Sequence, residues 1–427
     1  MNAMDSDYEK VFCSIADDFD VKKAMREANR CYYCYDAPCI TACPTGIDIP
    51  SFIRKISNGN NRGAALDILS ANIMGGTCAR ACPVETLCEA ACVREKSEKE
   101  PVTIGQLQKY AVDEFLKTDE KPFRQAKPNG LKVAVIGAGP AGLSCAHQLS
   151  LLGYDVSVFE AQEKPGGLNE YGLAPYKLTN NFAQKEIEFI LSVGGIKIEN
   201  NKKLGRDFTL TELKAKYSAV FLGIGLTNVN SLGIPGEDLP SVIDAVTFIA
   251  KIRQTKDLQK IPVTQNIVVI GGGNTAVDIA IEMKKLGADN VTIVYRRGLE
   301  NMSATHHEIE LAKKNGVLIK TNGVPKKITK DGVEFETFTL RAEQIFKAIG
   351  QKLNLEVLGS EAQLIENKQG KVLVNSDFET SLKNVFAGGD CTGIGEDLTV
   401  TAVQQGKLAA LGIHKKLKGD KRGQPNL

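Results

Sequence analysis

Eight of the eleven cysteines fall between residues 31 and 92. Cys31, Cys34, Cys39 and Cys43 read C-x2-C-x4-C-x3-C, with Pro44 directly after. Cys78, Cys82, Cys88 and Cys92 read C-x3-C-x5-C-x3-C, with Pro83 after Cys82. Thiolates clustered at such spacing hold soft metals or iron–sulfur clusters. Structural zinc is the alternative. It usually takes two short C-x-x-C-type knuckles, so the C-x5-C step and the two Cys-Pro steps fit it poorly. Zinc is also redox-inert, which suits neither of the nucleotide sites described next. The remaining cysteines carry no spacing of this kind: Cys145 reads as core, Cys13 and Cys391 are isolated, and residues 128–427 hold no C-x2-C dithiol. The four histidines, 147, 306, 307 and 414, show no ligand spacing.

Two Gly-rich turns follow. Gly137-Ala138-Gly139-Pro140-Ala141-Gly142 comes after the apolar run KVAVI. Gly137 permits the tight turn, Gly139 lets backbone approach a pyrophosphate, and Gly142 lets helix and strand pack closely. The helix N-terminus adds N–H donors and positive potential. Glu160 closes the next strand, where a carboxylate can accept from ribose hydroxyls. The second turn, Gly271-Gly272-Gly273-Asn274-Thr275-Ala276, reads G-x-G-x-x-A, and its closing strand VTIVY ends in Arg296-Arg297 instead of an acid. Arginines pair with a 2′-phosphate, which favours NADPH over NADH.

These turns need a scaffold. KVAVIGAGPAGLSCAHQLSLLGYDVSVFE and NIVVIGGGNTAVDIAIEMKKLGADNVTIVYRR each read strand, turn, helix, strand. Each is a βαβ unit with a parallel sheet, so two Rossmann-like domains are expected. Residues 20–120 read mostly helical: Asp20 precedes VKKAMREANR, Pro50 sits in the first turn of IPSFIRKIS, and Thr103 precedes IGQLQKYAVDEFL. Residues 118–131 form a polar, Pro- and Gly-bearing linker.

Composition bounds the rest. A chain of 427 residues, 43% hydrophobic and 24% charged, suits two or three globular domains, with disorder expected only at the two ends. A net charge of +2 gives no bulk attraction to nucleic acid or anionic membrane. The acidic start, with Asp5, Asp7, Glu9, Asp17 and Asp18, is unlike a secretory signal, and no apolar run suits a membrane span. A cytoplasmic location follows, where clustered cysteines bind metal or do redox work in preference to forming disulfides.

The whole chain resembles a known family. The segments CYYCYDAPCITACPTGIDIPSFIRKIS, GGTCARACPVETLCEAACVR, TIGQLQKY, both Gly-rich turns and NVFAGGD are similar to the flavin/iron–sulfur subunit of bacterial NAD(P)-dependent dihydropyrimidine dehydrogenase and to the N-terminal half of the long enzyme. The glutamate synthase small subunit is a more distant relative. The resemblance implies a helical two-[4Fe–4S] domain over 1–127, an FAD domain over 128–234 and 351–427, and a nicotinamide domain over 235–350 inserted between its halves.

It also implies site residues. Cys31, Cys34, Cys39 and Gln108 would hold one cluster, and Cys43, Cys82, Cys88 and Cys92 the other. Cys78 would be left over, though it could take the place of Gln108. FAD would be met by Gly137, Gly139, Pro140, Ala141, Gly142, Glu160, Gly167, Leu168, Lys177, Leu204, Gly389 and Asp390. The nicotinamide nucleotide would be met by Gly272, Gly273, Asn274, Thr275, Ala276, Arg296, Arg297, Ala348 and Gly350. The chain departs from the long enzyme at Ser303, in NMSATH, where no arginine stands nearby.

The function implied is oxidation of NAD(P)H, with electrons passing through FAD and two clusters to an FMN-containing iron–sulfur partner that reduces uracil or thymine. No general acid or base is expected in this chain. A glutamate synthase small subunit, a stand-alone NAD(P)H:acceptor reductase, or a non-catalytic zinc-bearing assembly protein are the alternatives.

Overall fold

Lys132–Ile136 is the middle strand of a five-stranded parallel sheet. Its order is Val385–Ala387, Ala219–Leu222, Lys132–Ile136, Asp155–Phe159, Ile196–Glu199. Asn266–Gly271 is likewise the middle strand of a second parallel sheet, ordered Val242–Asp244, Gln344–Ala348, Asn266–Gly271, Asn290–Val294, Leu318–Lys320. In both, four or more consecutive positions of the central strand are buried, as expected for a strand covered on both faces. Each central strand runs straight into its Gly-rich turn, so the turn emerges at the carboxyl end of the sheet, where open α/β sheets bind ligands.

This computed structural model describes residues 8, 10–14, 18–363 and 365–419. Most of the acidic start, including Asp5, Asp7, Glu9 and Asp17, and the tail from residue 420 lie outside them. The chain divides into two units. One comprises Asp17–Asn169, Asn181–Thr227 and Leu353–Leu427, and so joins the helical segment to the first sheet. The other comprises Asn228–Lys352, against the expected 235–350, together with Glu170–Asn180 and the described part of Met1–Ala16.

The helical segment follows its sequence signals. Asp20 caps Val21–Ala28 by accepting the Lys23 N–H at 2.7 Å. Asp48 caps Ile49–Ser57, with Pro50 in its first turn. Ile104–Leu116 starts after Thr103 as expected, but the Thr103 hydroxyl makes no hydrogen bond. These helices share a core that includes Phe52, Ile53, Ile56, Ile68, Leu107 and Val112. Among the described residues, no helix is long and apolar enough to cross a membrane.

Candidate functional site

The first turn is built as its spacing requires. Gly137 has φ +94°, and a Cβ there would lie 2.3 Å from the Gly223 carbonyl oxygen. A Cβ on Gly142 would lie 1.9 Å from the Gly137 oxygen. Above Gly139 there is open space, bounded only by Gly167 Cα at 3.7 Å. This is the cradle that a pyrophosphate needs, and the residues fit that group. The Gly166 N–H donates to the Ala138 oxygen at 2.8 Å, which brings Gly167 and Leu168 to the turn. From the other side, a Cβ on Gly389 would meet the Ala141 Cβ at 2.9 Å, so the segment that carries Asp390 passes close to the start of the helix after the turn.

Glu160 follows the Asp155–Phe159 strand and is 6% exposed. Its carboxylate accepts the N–H groups of Ala138 and Gln162, each at 2.8 Å, while burial pushes its pKa up. Burial also raises Asp390 to about 6, with Asp397 adding to the effect. Leu204 lies deeper, in the core with Ile136 and Phe159. Lys177 belongs to the second unit, where its ammonium pairs with Asp278 at 2.7 Å and Glu308 at 2.6 Å. The Tyr176 hydroxyl donates to the same Asp278 at 2.8 Å.

Around the second turn, a Cβ on Gly272 would strike the Tyr295 ring at 2.4 Å, and one on Gly271 would strike the Ala348 oxygen at 2.2 Å. Gly350, with φ +87°, accepts from the Asn230 N–H at 3.1 Å. Asn274 accepts the Thr305 N–H at 3.2 Å, and the Ala304 N–H donates to the Gly272 oxygen at 2.9 Å. The loop Met302–Thr305 therefore closes on the turn, and Ser303 Oγ stands 3.2 Å from where a Gly273 Cβ would be. Thr275 and Ala276 open the helix Asn274–Lys285. Arg296 is exposed, and Arg297 donates to the Tyr295 hydroxyl through Nε at 3.0 Å.

The cysteines form two groups, and the partition differs from the one expected. Cys31, Cys34, Cys39 and Cys92 line one cavity, walled also by Ile49, Ile53 and Ile104. Cys92 reaches it because the helix Val93–Glu98 folds back on residues 30–32. The Arg94 guanidinium lies 4.0 Å from the Tyr32 ring centroid and donates to the Arg30 oxygen, and the Tyr32 hydroxyl donates to Glu98 at 2.5 Å. Burial pushes the Cys39 thiol up to about 12, with Cys31 and Cys92 adding to it.

Cys43, Cys78, Cys82 and Cys88 make the other group. A hydrogen bond with Cys78 is the largest cause pushing Cys82 well up, followed by burial, with Cys88 and Cys43 also contributing. Burial raises Cys88 too, with Glu89, Cys43 and, last, Cys39 of the first group adding. Gln108 lies on this side, donating from Nε2 to the Gly75 oxygen at 2.7 Å. The resemblance implied Gln108 with Cys31, Cys34 and Cys39, and Cys92 with Cys43, Cys82 and Cys88, whereas here Cys92 lines the first cavity and Gln108 lies beside the helix that leads into Cys82.

All eleven cysteines are free thiols, and the donor chemistry suits iron–sulfur ligation. Among the described residues no three His, Cys, Asp or Glu side chains converge on a single-ion site. A cluster spreads its thiolates more widely than one ion does.

The family described as pyridine nucleotide-disulphide oxidoreductase matches residues 131–406. That described as dihydropyrimidine dehydrogenase domain II, 4Fe-4S cluster, matches residues 8–120. The NAD-dependent dihydropyrimidine dehydrogenase subunit PreT of Escherichia coli is 36% identical over 402 residues, 93% of this chain and 95% of its own. This chain belongs to the pyridine nucleotide-disulphide oxidoreductases, and among them to the PreT-like subunits. The small chain of glutamate synthase [NADPH] from Azospirillum brasilense is 30% identical over 440 residues, 94% of this chain and 91% of that one.

Solved structures agree on the fold alone. Thioredoxin reductase of T. acidophilum matches 67% of this chain and 98% of its own at a TM-score of 0.54 and 20% identity. FprA of Mycobacterium tuberculosis, in complex with NADPH, matches 68% of this chain and 85% of its own at 0.56 and 18%. As a member of its family, the protein is an FAD-dependent NAD(P)H oxidoreductase that carries a 4Fe–4S domain.

Sequence reasoning did not single out Glu186, Asn169, Asp278 or Glu308. None stands in a spacing motif. Each acquires its role from a contact with a distant segment.

Proposed function

We propose that this chain is the NAD(P)H-oxidising electron-transfer subunit of a dihydropyrimidine dehydrogenase, feeding an FMN-containing iron–sulfur partner that reduces uracil or thymine. The observation that carries the reading is the placing of both cysteine groups in the same unit as the first Gly-rich cradle. A flavin held there has redox centres beside it, with no second polypeptide needed between them. The 36% identity to PreT, over 93% of this chain, supports the choice of pathway.

When bound, FAD and two [4Fe–4S] clusters supply the conversion of one hydride into two single electrons. The residues position them. Gly139 and Gly167 leave room for the pyrophosphate, Glu160 orients the turn through Ala138, and Asp390 stands at the opposite side. Cys31, Cys34, Cys39 and Cys92 are assigned to one cluster. Cys43, Cys82 and Cys88 are assigned to the other, with Gln108 as its fourth donor. Asn274 and Thr275 receive the nicotinamide nucleotide, and Arg296 with Arg297 its 2′-phosphate, so that NADPH is accepted. With eleven cysteines and no disulfide, a reducing cytoplasm is the proposed setting.

The test compares acceptors. The isolated chain should oxidise NAD(P)H with an artificial dye and show no uracil-dependent oxidation until the FMN partner is added. Uracil reduction by the isolated chain would defeat the proposal. Co-purification from the native host with a large amidotransferase subunit would move it to glutamate synthase, the second reading that the Azospirillum relative supports.

A further inference from the structure

The short helix Gly75–Ala81 carries Cys78 and leads directly into Cys82, whose N–H donates to the Cys78 oxygen at 2.9 Å. Its first turn is gripped from the flavin side. Asn169, two residues beyond Gly167, donates to the Met74 sulfur at 3.7 Å and accepts from the Thr399 hydroxyl at 2.9 Å. Glu186, on the helix Phe182–Leu191, accepts the N–H groups of Gly76 at 2.9 Å and Thr77 at 3.0 Å, and the Thr77 hydroxyl at 2.5 Å. Three donors thus converge on one carboxyl group that is 2% exposed.

The seat is shaped as well as bonded. A Cβ on Gly76 would lie 2.4 Å from Phe182 Cζ and 2.9 Å from Glu186 Oε1, so only glycine lets the two helices close. Arg80, a turn further on, lies over the Phe182 ring at 3.7 Å and is held by Asp113 at 2.6 Å. No metal ligand or nucleotide motif explains a carboxylate buried there. Desolvation makes it costly, and it persists because it satisfies helix N–H groups that would otherwise be orphaned.

We propose that Glu186 is a positioning residue for electron transfer: it fixes the helix Gly75–Ala81 between the flavin cradle and the Cys43, Cys82 and Cys88 group. The inference rests on the reading given under Proposed function. The balance of the step is one hydride in from NAD(P)H, one electron to each of two oxidised clusters, and one proton out to solvent. Glu186 takes no part in hydride transfer. A carboxyl that only sets distance affects the second stage and leaves the first alone.

The test is anaerobic rapid mixing of the holoprotein with NADH or NADPH, following flavin bleaching and then cluster reduction by freeze-quench EPR. In Glu186→Ala, bleaching should keep its wild-type rate while cluster reduction slows severalfold, since electron transfer between fixed centres weakens steeply with distance. The EPR line shape of the dithionite-reduced protein should shift. Glu186→Gln, which keeps an acceptor for both N–H groups, should restore rate and line shape.

Wild-type cluster reduction in an Ala variant with full iron content would overturn the assignment. So would a Gln variant as slow as Ala, which would make charge the cause. If Ala does not retain iron, Glu186→Asp, one methylene short, carries the same criterion. Failure of the wild type itself to pass electrons to its clusters would instead overturn the functional reading.

Discussion

Cys92 faces the same cavity as Cys31, although the two stand at opposite ends of the cysteine-rich segment. The pairing is made by Arg94 and Tyr32, which close the helix Val93–Glu98 over residues 30–32. It shows in the thiols: burial pushes Cys31 up, and Cys34 and Cys92 add to it.

The first prediction follows from that cavity. Cys34→Ala and Cys92→Ala should each remove the same cluster, costing about four irons per chain. The double variant should lose no more than either single one, because residues acting on one centre are not additive. Loss of all iron in the double variant, with half lost in each single, would return Cys92 to the other cluster.

The second concerns the remaining donor. Gln108 is 7% exposed and bonded to Gly75 on the helix that leads into Cys82. Gln108→Ala should lose or convert one cluster, seen as reduced iron and an altered EPR spectrum. Cys78→Ser should keep both, its thiol serving as a hydrogen-bond neighbour of Cys82. If the two variants swap outcomes, Cys78 is the ligand.

What was readable in the sequence was whatever depends on near neighbours. Gly137, Gly142 and Gly272 each exclude a Cβ that would collide with backbone or with Tyr295, and a local spacing motif captures that constraint. The two parallel sheets follow from the same βαβ runs. The partition of the cysteines did not, because Cys92 is moved by a side-chain contact between Arg94 and Tyr32 that no periodicity encodes. Lys177, which the resemblance assigned to FAD, shows a similar dependence on distant partners: Asp278 and Glu308 hold it in the unit of the second turn. Glu186 carries no signal at all until the helix it caps is in place.

The third prediction addresses nucleotide choice. Arg297 is anchored by the Tyr295 hydroxyl, and Arg296 is exposed at the end of the Asn290–Val294 strand. Replacing both by Ala should raise KM for NADPH about ten- to hundredfold, as expected for loss of charge-assisted hydrogen bonds worth about 1.5–3 kcal/mol. KM for NADH should change little. Equal effects on both nucleotides would leave the pair as a solvated surface feature.

The last prediction is a pH dependence. His147 lies in the helix Pro140–Leu151 behind the first turn and is 5% exposed. Its ring meets the Phe123 ring edge-on at 5.2 Å, and Nε2 has no hydrogen-bond partner. Burial, and then the nearby Lys407 charge, push its pKa down to about 3. The folded pKa is therefore below the value of about 6.5 expected in the unfolded chain, so the unfolded chain takes up the proton first as pH falls. The stability that His147 contributes is present above about pH 6.5 and is lost as pH falls from there toward the folded value, amounting to about 2 kcal/mol by pH 5. His147→Leu fills the same apolar site without a titrating group. Thermal unfolding of wild type and variant, followed anaerobically between about pH 7 and pH 5, should show the wild type losing stability faster by that amount. Parallel curves would mean that His147 is protonated at no extra cost in the fold, and that its surroundings are wetter than Phe123 and the buried helix imply.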